Sequence, residues 1–169
     1  MDLLELTNRA NAAGIKLEMM NGLPIWEAFP NWRHQEAIDR IRRTFATAPK
    51  RDNSQTDDCA CVHIPDVYVL FPDGSLKRPD VAIYCTMPSE EEKETAVKLI
   101  PEAVIEVVSK GYEVKDLELN PLFYLSHGVK DVVVFNPATL NVSHFRRNKR
   151  NHYLSPITLE LECGCIVTV

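Results

Sequence analysis

Glu106 lies inside the run Ala103-Val104-Ile105-Glu106-Val107-Val108, whose β-branched residues mark a strand buried on both faces. Burying an ionised carboxylate there costs several kcal/mol unless it is paired or holds a metal. By the two-residue period of a strand, Val104, Glu106, Val108 and Lys110 share one face, so a carboxylate and a lysine stand four residues apart on the same side. Two readings stay open on spacing alone: an edge-strand glutamate facing water and paired with Lys110, or an acid kept for chemistry. Asp80 bears on the choice. It follows Pro79 at the start of the segment 78–84, and hairpin order makes the strands 62–71, 78–84 and 101–108 neighbours. Alone, Asp80 reads equally as a turn-end aspartate bonded to backbone amides. Together, two carboxylates meeting at strand ends suit Mg²⁺ or Mn²⁺, hard cations bound through one or two carboxylates plus substrate phosphate. The chemistry of such a site is attack by metal-activated water on a phosphodiester, with a nearby lysine assisting the water or neutralising charge.

Three other groups of residues invite chemistry. The stretch Phe145-Arg146-Arg147-Asn148-Lys149-Arg150-Asn151-His152-Tyr153 carries the cations Arg146, Arg147, Lys149 and Arg150 between aromatic residues. It reads either as a solvated hairpin loop or as a phosphate-binding patch, which positions a nucleic acid without reading its sequence. His34 falls on the helical stripe of Ile38, Ile41 and Phe45, so it faces inward, as a core histidine or toward the metal site. The five cysteines include Cys59-Ala-Cys61 and Cys163-Gly-Cys165, spaced more tightly than the pairs of two to four intervening residues that chelate zinc. An odd count without a secretion signal predicts reduced thiols buried as small hydrophobes. No phosphate loop, Gly-x-Ser-x-Gly elbow or His-Glu-x-x-His helix is present, and no spacing recommends Cys85 as a nucleophile.

The elements that position these groups follow from periodicity and turn signals. Asn21-Gly22 predicts a small N-terminal hairpin within 15–27. Trp32 to Phe45 is amphipathic and helical, the polar stretch after Pro49 is a loop, and Cys61 to Phe71 is a strand. Pro72-Asp73-Gly74-Ser75 turns the chain back into Arg78 to Tyr84, with Pro79 acceptable only at a strand start or edge. The acidic run Ser89 to Glu94 is a solvated loop or helix start, and Pro101 to Ser109 is the central strand. Residues 113–127 are helical up to the Gly128 cap, with Asn120-Pro121 either capping a shorter helix or kinking one longer helix. Asp131 to Phe135 and Leu140 to Arg146 are strands joined at Asn136-Pro137.

With 169 residues, 45% of them apolar and 25% charged, the chain has the makings of one globular domain over 1–169, large enough to hold its core without staples. No run reaches the roughly 18 apolar residues of a membrane helix, and MDLLELTNRA is no leader, so a cytoplasmic location without membrane contact is expected. The net charge of −5 gives no global attraction to nucleic acid, leaving such binding to local clusters.

In order and context, Arg78-Pro79-Asp80, Glu106-Val107-Val108-Ser109, Lys115-Asp116-Leu117, Tyr124 to Val129 (YLSHGV) and Asp131 to Pro137 resemble the Uma-type restriction endonucleases of the PD-(D/E)XK nuclease superfamily. The resemblance runs from the Asn21-Gly22 hairpin to the strands after Pro137. It implies an α/β, restriction-endonuclease-like core, a mixed β-sheet flanked by helices, and Asp80 and Glu106 as the acidic pair that binds divalent metal. It further implies a Mg²⁺-dependent endodeoxyribonuclease acting on DNA, for which symmetry favours a homodimer. The superfamily places a lysine two residues after the second acid, where this chain has Val108; the Uma-type pattern places one four residues after an aspartate, and here Asn120 follows Asp116. Lys110, on the face of Glu106, is the expected third catalytic residue, with Lys115 the alternative. A chain without that lysine fits a competing expectation: a catalytically inactive nuclease fold that binds nucleic acid or protein.

Overall fold

Asn21 and Gly22, at φ of 51° and 77°, take the left-handed conformations of a two-residue hairpin turn and fold β1 (Ile15–Met20) onto β2 (Leu23–Ala28) behind a first helix, α1 (Leu3–Ala12). These and the other elements come from a computed structural model that describes residues 3–28, 30–48 and 59–169. The loop expected after Pro49 lies largely outside the described residues. In α2 (Trp32–Arg42) the Asn31 side chain caps the His34 N–H, and His34, Ala37, Ile38 and Ile41 form the buried stripe. A short β3 (Ala46–Thr47) follows.

The strand expected over Cys61 to Phe71 is two strands in different sheets. Asp66, at φ 60°, breaks it into β4 (Val62–Pro65) and β5 (Val69–Leu70). The return segment divides likewise at Pro79, which lacks an N–H for the ladder, into β6 (Leu76–Lys77) and β7 (Val81–Tyr84). Between β5 and β6 Asp73 accepts the Ser75 N–H at 2.9 Å in the expected turn. The acidic run begins α3 (Glu90–Lys93) with a Ser89–Glu92 capping box. Then come β8 (Ala103–Val107), a π-helical segment Lys115–Leu119 running directly into α4 (Asn120–Ser126), β9 (Asp131–Asn136), β10 (Asn141–Arg146), β11 (Lys149–Leu154), β12 (Thr158–Glu160) and β13 (Cys165–Thr168).

The central sheet has the order β11-β10-β9-β8-β7-β4; only β8 and β9 are parallel, so the sheet is mixed. Alternate residues feed opposite cores. Val81, Ile83, Ile105, Val107, Val133 and Phe135 pack with α2, while Val104, Val132, Val134 and Phe145 pack with Phe123 and Tyr124 of α4. Each such fully buried side chain contributes about 1.5–3 kcal/mol. The N-terminal hairpin extends into a second sheet, β2-β1-β6-β5, and β12-β13-β3 make a third that sequence patterning did not anticipate, as it did not anticipate α1. This is the expected α/β architecture, a mixed sheet flanked by helices. Among the described residues no helix is long and apolar enough to cross a membrane.

The expected reduced thiols are corrected by the structure, where Cys59 is bonded to Cys85 and Cys61 to Cys165. The third sheet brings Cys165 to the strand ends that hold Cys61 and Cys85, a proximity that linear spacing does not reveal. The chain 113–127 also resolves the Asn120-Pro121 ambiguity: Leu119 is helical without a side-chain cap, so the helix is continuous and its π-turn precedes the proline.

Candidate active site

Pairing of Val81 with Ile105 sets Asp80 beside Glu106 at the carboxyl end of β8. The Asp80 N–H donates to Glu106 Oε2 at 3.2 Å, and the Val107 N–H donates to Asp80 Oδ2 at 2.7 Å. The two acids are thus tied to each other's strand by one backbone bond each way. Both are buried, 5% and 3% exposed.

Each face of the sheet contributes a partner. From α2, His34 Nε2 lies 3.2 Å from Asp80 Oδ2. From α4, the Tyr124 hydroxyl and the Asn120 amide donate to Glu106 Oε1 at 2.9 and 3.2 Å. From β1, Lys16 Nζ stands 3.5 Å from Asp80 Oδ1. The network continues through Glu18, which accepts from Lys77 at 2.7 Å and the Arg78 N–H at 2.8 Å and lies 3.4 Å from Lys115. Lys77 also donates to Asn120 Oδ1 at 2.9 Å, and Asp116 accepts the Ser109 N–H at 3.2 Å. The wide π-turn lets Lys115, Asp116 and Asn120 all point inward, where an α-helix separates neighbours by about 100°.

The charges sort themselves. Burial opposes ionisation of Asp80, but Lys16, His34 and the Val107 N–H outweigh it and hold its pKa below the ordinary value. Burial, then the charge of Asp80, pushes Glu106 well above the carboxylate range. Burial opposes charging of His34 too, and the Asp80 hydrogen bond and charge reverse this, raising its pKa. Lys77 and Lys115 overcome the burial of Glu18 and lower its pKa. The pair is therefore unequal: Asp80 is held as a carboxylate, while burial and the Asp80 charge oppose ionisation of Glu106.

That inequality is a test of fit for a divalent metal. Among the described residues Asp80 Oδ1 has only the long Lys16 contact, the candidate ligand atoms are hard oxygens, and the repulsion at Glu106 is what a shared cation would remove. Asp80 and Glu106 fit Mg²⁺ or Mn²⁺. An open cleft of about 700 Å³ adjoins this end of the sheet, lined by Trp32, Arg33, His34, Val108, Ser109 and Lys110 among others. His34 is the residue common to cleft and carboxylates, and its Nδ1 has no hydrogen-bond partner among the described residues.

The other expected site residues stand elsewhere. β8 ends at Val107, so the strand period does not carry Lys110 onto the face of Glu106; Lys110 is exposed in the cleft wall. The basic stretch is the hairpin β10–β11, and it turns at the Asp131 end of the sheet. Asp131 pairs with Ala103 and Glu106 with Val134, so that end lies about 10 Å along the strands from Glu106. There Arg146 is committed to Asp131 at 2.6 Å and to the Glu160 carbonyl at 2.7 Å, and Arg150 stacks over Phe145. Arg147 and Lys149 are exposed. The residues missed by sequence reading are Lys16, Glu18, Lys77, Asn120 and Tyr124; the alternation Lys16-Leu17-Glu18 was the available signal, although it reads equally as a solvated strand face.

The sequence matches the family described as "Uma2: Putative restriction endonuclease" over residues 2–163. Among solved structures, the chain is similar to a protein of Anabaena variabilis ATCC 29413 described as a putative nuclease belonging to DUF820, with a TM-score of 0.64 and 16% identity over 88% of this chain and 83% of that one. No curated protein matches the sequence.

Proposed function

Because the chain belongs to the Uma2 restriction endonuclease family, we propose that it is a divalent-metal-dependent endonuclease whose reaction is phosphodiester hydrolysis in DNA. The observation that carries this is the Asp80–Glu106 pair: two buried carboxyl groups tied through a backbone N–H, Glu106 held from ionising by its burial and then by the charge of Asp80. Asp80 and Glu106 would hold Mg²⁺ or Mn²⁺, which when bound lowers the pKa of an attacking water and polarises a phosphoryl oxygen. His34 orients Asp80, and Lys16 with His34 keeps it ionised against its burial. Lys16 sets a positive charge beside the reacting phosphate, the role sequence reading gave to Lys110. Tyr124 and Asn120 fix the Glu106 carboxyl in place. Arg33 and Lys110, in the cleft wall, are placed to meet the phosphate backbone, a contact that positions a duplex without reading it.

One observation favours a second reading, a catalytically inactive nuclease fold that binds nucleic acid. Lys16 already supplies Asp80 with a resident counter-charge, so the site is partly balanced without metal. Nicking of supercoiled plasmid with and without Mg²⁺ or Mn²⁺ separates the two. Metal-dependent nicking that is lost in Asp80→Asn supports the nuclease; DNA binding without nicking under any divalent ion supports the inactive fold.

A further inference from the structure

All five cysteines of the chain converge on one place, from three separate segments. Cys59 and Cys61 lead into β4, Cys85 follows β7, and Cys163 and Cys165 flank the Gly164 turn into β13. The two disulfides account for four sulfurs in pairs, but not for how the pairs lie against each other. Cys59 Sγ is 3.6 Å from Cys165 Sγ of the other pair. The sulfurs of Cys59, Cys61 and Cys165 lie within 4.8 Å of one another, as do those of Cys59, Cys85 and the unpaired Cys163. In a tetrahedral zinc–thiolate centre with bonds of about 2.3 Å, sulfurs stand about 3.8 Å apart.

We propose that, when reduced, this cluster is a thiolate site for one thiophilic divalent ion of the zinc class, with Cys59, Cys61 and Cys165 as ligands and the fourth from Cys85 or Cys163. The one-residue spacing that weighs against zinc in an extended strand is overcome here by Cys61, whose φ of 48° breaks the extension and lets both sulfurs of its pair face the cluster. Two equivalents of a dithiol reductant convert the two disulfides to four thiols, each disulfide taking up two electrons and two protons. Binding of the ion then releases the thiol protons as the thiolates form. The site lies at the end of β7 opposite Asp80 and ties the third sheet to the central one, so it is separate from the carboxylate pair.

The test is titration of Co²⁺ into the full chain after reduction and removal of the reductant, with circular dichroism confirming the fold. One thiolate-bound Co²⁺ per chain, counted from thiolate-to-cobalt charge-transfer bands that Zn²⁺ displaces, is expected, apart from any Co²⁺ held by the carboxylate pair. Asp80→Ala keeps the bands, and Cys59→Ser loses them. A folded, reduced wild type that shows no charge-transfer band overturns the proposal, as does a band that survives Cys59→Ser; neither outcome requires the variant to be as stable as the parent.

Discussion

The backbone N–H of Asp80 donates to the Glu106 carboxylate while the N–H following Glu106 donates to Asp80, so each acid is fixed by the other's strand. Placement of the two oxygens is therefore a property of β7–β8 pairing rather than of flexible side chains. Carboxyl groups held this way are preorganised: their relative geometry is set on folding.

Glu106→Gln replaces a carboxyl that burial and the Asp80 charge hold against ionisation with an uncharged group of the same size. In metal-free buffer at pH 8 we predict that the variant is at least as stable as wild type, because burial and the Asp80 charge, which oppose ionisation at this position, no longer act on it. Urea unfolding monitored by circular dichroism measures this. A loss of several kcal/mol would mean that the Glu106 carboxylate is ionised and fully compensated without metal.

Lys16→Met separates catalysis from metal capture, because Lys16 stands at the one Asp80 oxygen left open to an ion. Mn²⁺ affinity is expected to hold or rise, while the cleavage rate falls about 100-fold, the scale of a lost catalytic group. Calorimetry and single-turnover cleavage on the same variant check both halves. Undiminished cleavage would remove Lys16 from the mechanism.

At the far end of the sheet, Asp131 accepts from His144 at 2.7 Å, Arg146 at 2.6 Å and the Glu162 N–H at 2.7 Å. Burial opposes its ionisation, and His144, Arg146 and the Glu162 N–H reverse that and lower its pKa. A depressed carboxylate stabilises the fold above its unfolded pKa of 3.8, and the contribution is lost as pH falls through the lower folded value. We predict that Asp131→Asn costs about 1–3 kcal/mol at pH 7, from the weakened hydrogen bonds to His144, Arg146 and the Glu162 N–H, and that the variant lacks the wild type's acid-limb loss below about pH 4. Urea midpoints from pH 3 to 7 provide the comparison.

DNA affinity is expected to follow the cleft rather than the basic hairpin. Arg33→Ala and Lys110→Ala should each weaken binding and reduce the salt slope by about 1, with no change in sequence preference. Arg147→Ala and Arg150→Ala, at the Asp131 end, should change affinity less than about 3-fold. Fluorescence anisotropy at several salt concentrations distinguishes the two surfaces.

The meeting of Asp80 and Glu106 at neighbouring strand ends was legible because its signals are local: a carboxylate in a β-branched run, and an aspartate released by a proline at a strand start. The N-terminal hairpin and α2 were legible for the same reason, from Asn-Gly and a stripe at helical spacing. Lys16, Glu18 and Lys77 were not, since alternation says which residues share a face and not whether that face is covered. Asp66 and Pro79 divide two apparent strands between sheets, a choice decided by tertiary pairing. The π-turn before Pro121 likewise brings Lys115 beside Glu18, against the angle a regular helix allows. The gathering of five cysteines depends on the third sheet, which no local pattern announced.

Calorimetric titration of Mn²⁺ into wild type, Asp80→Ala and Glu106→Ala tests the central claim most directly. We predict saturable binding in the wild type, lost in both variants, with a matching thermal stabilisation of about 2.7 kcal/mol at one hundred times Kd in the wild type alone. A folded wild type that takes up no Mn²⁺, or binding that survives both substitutions, would contradict a carboxylate metal centre at Asp80 and Glu106.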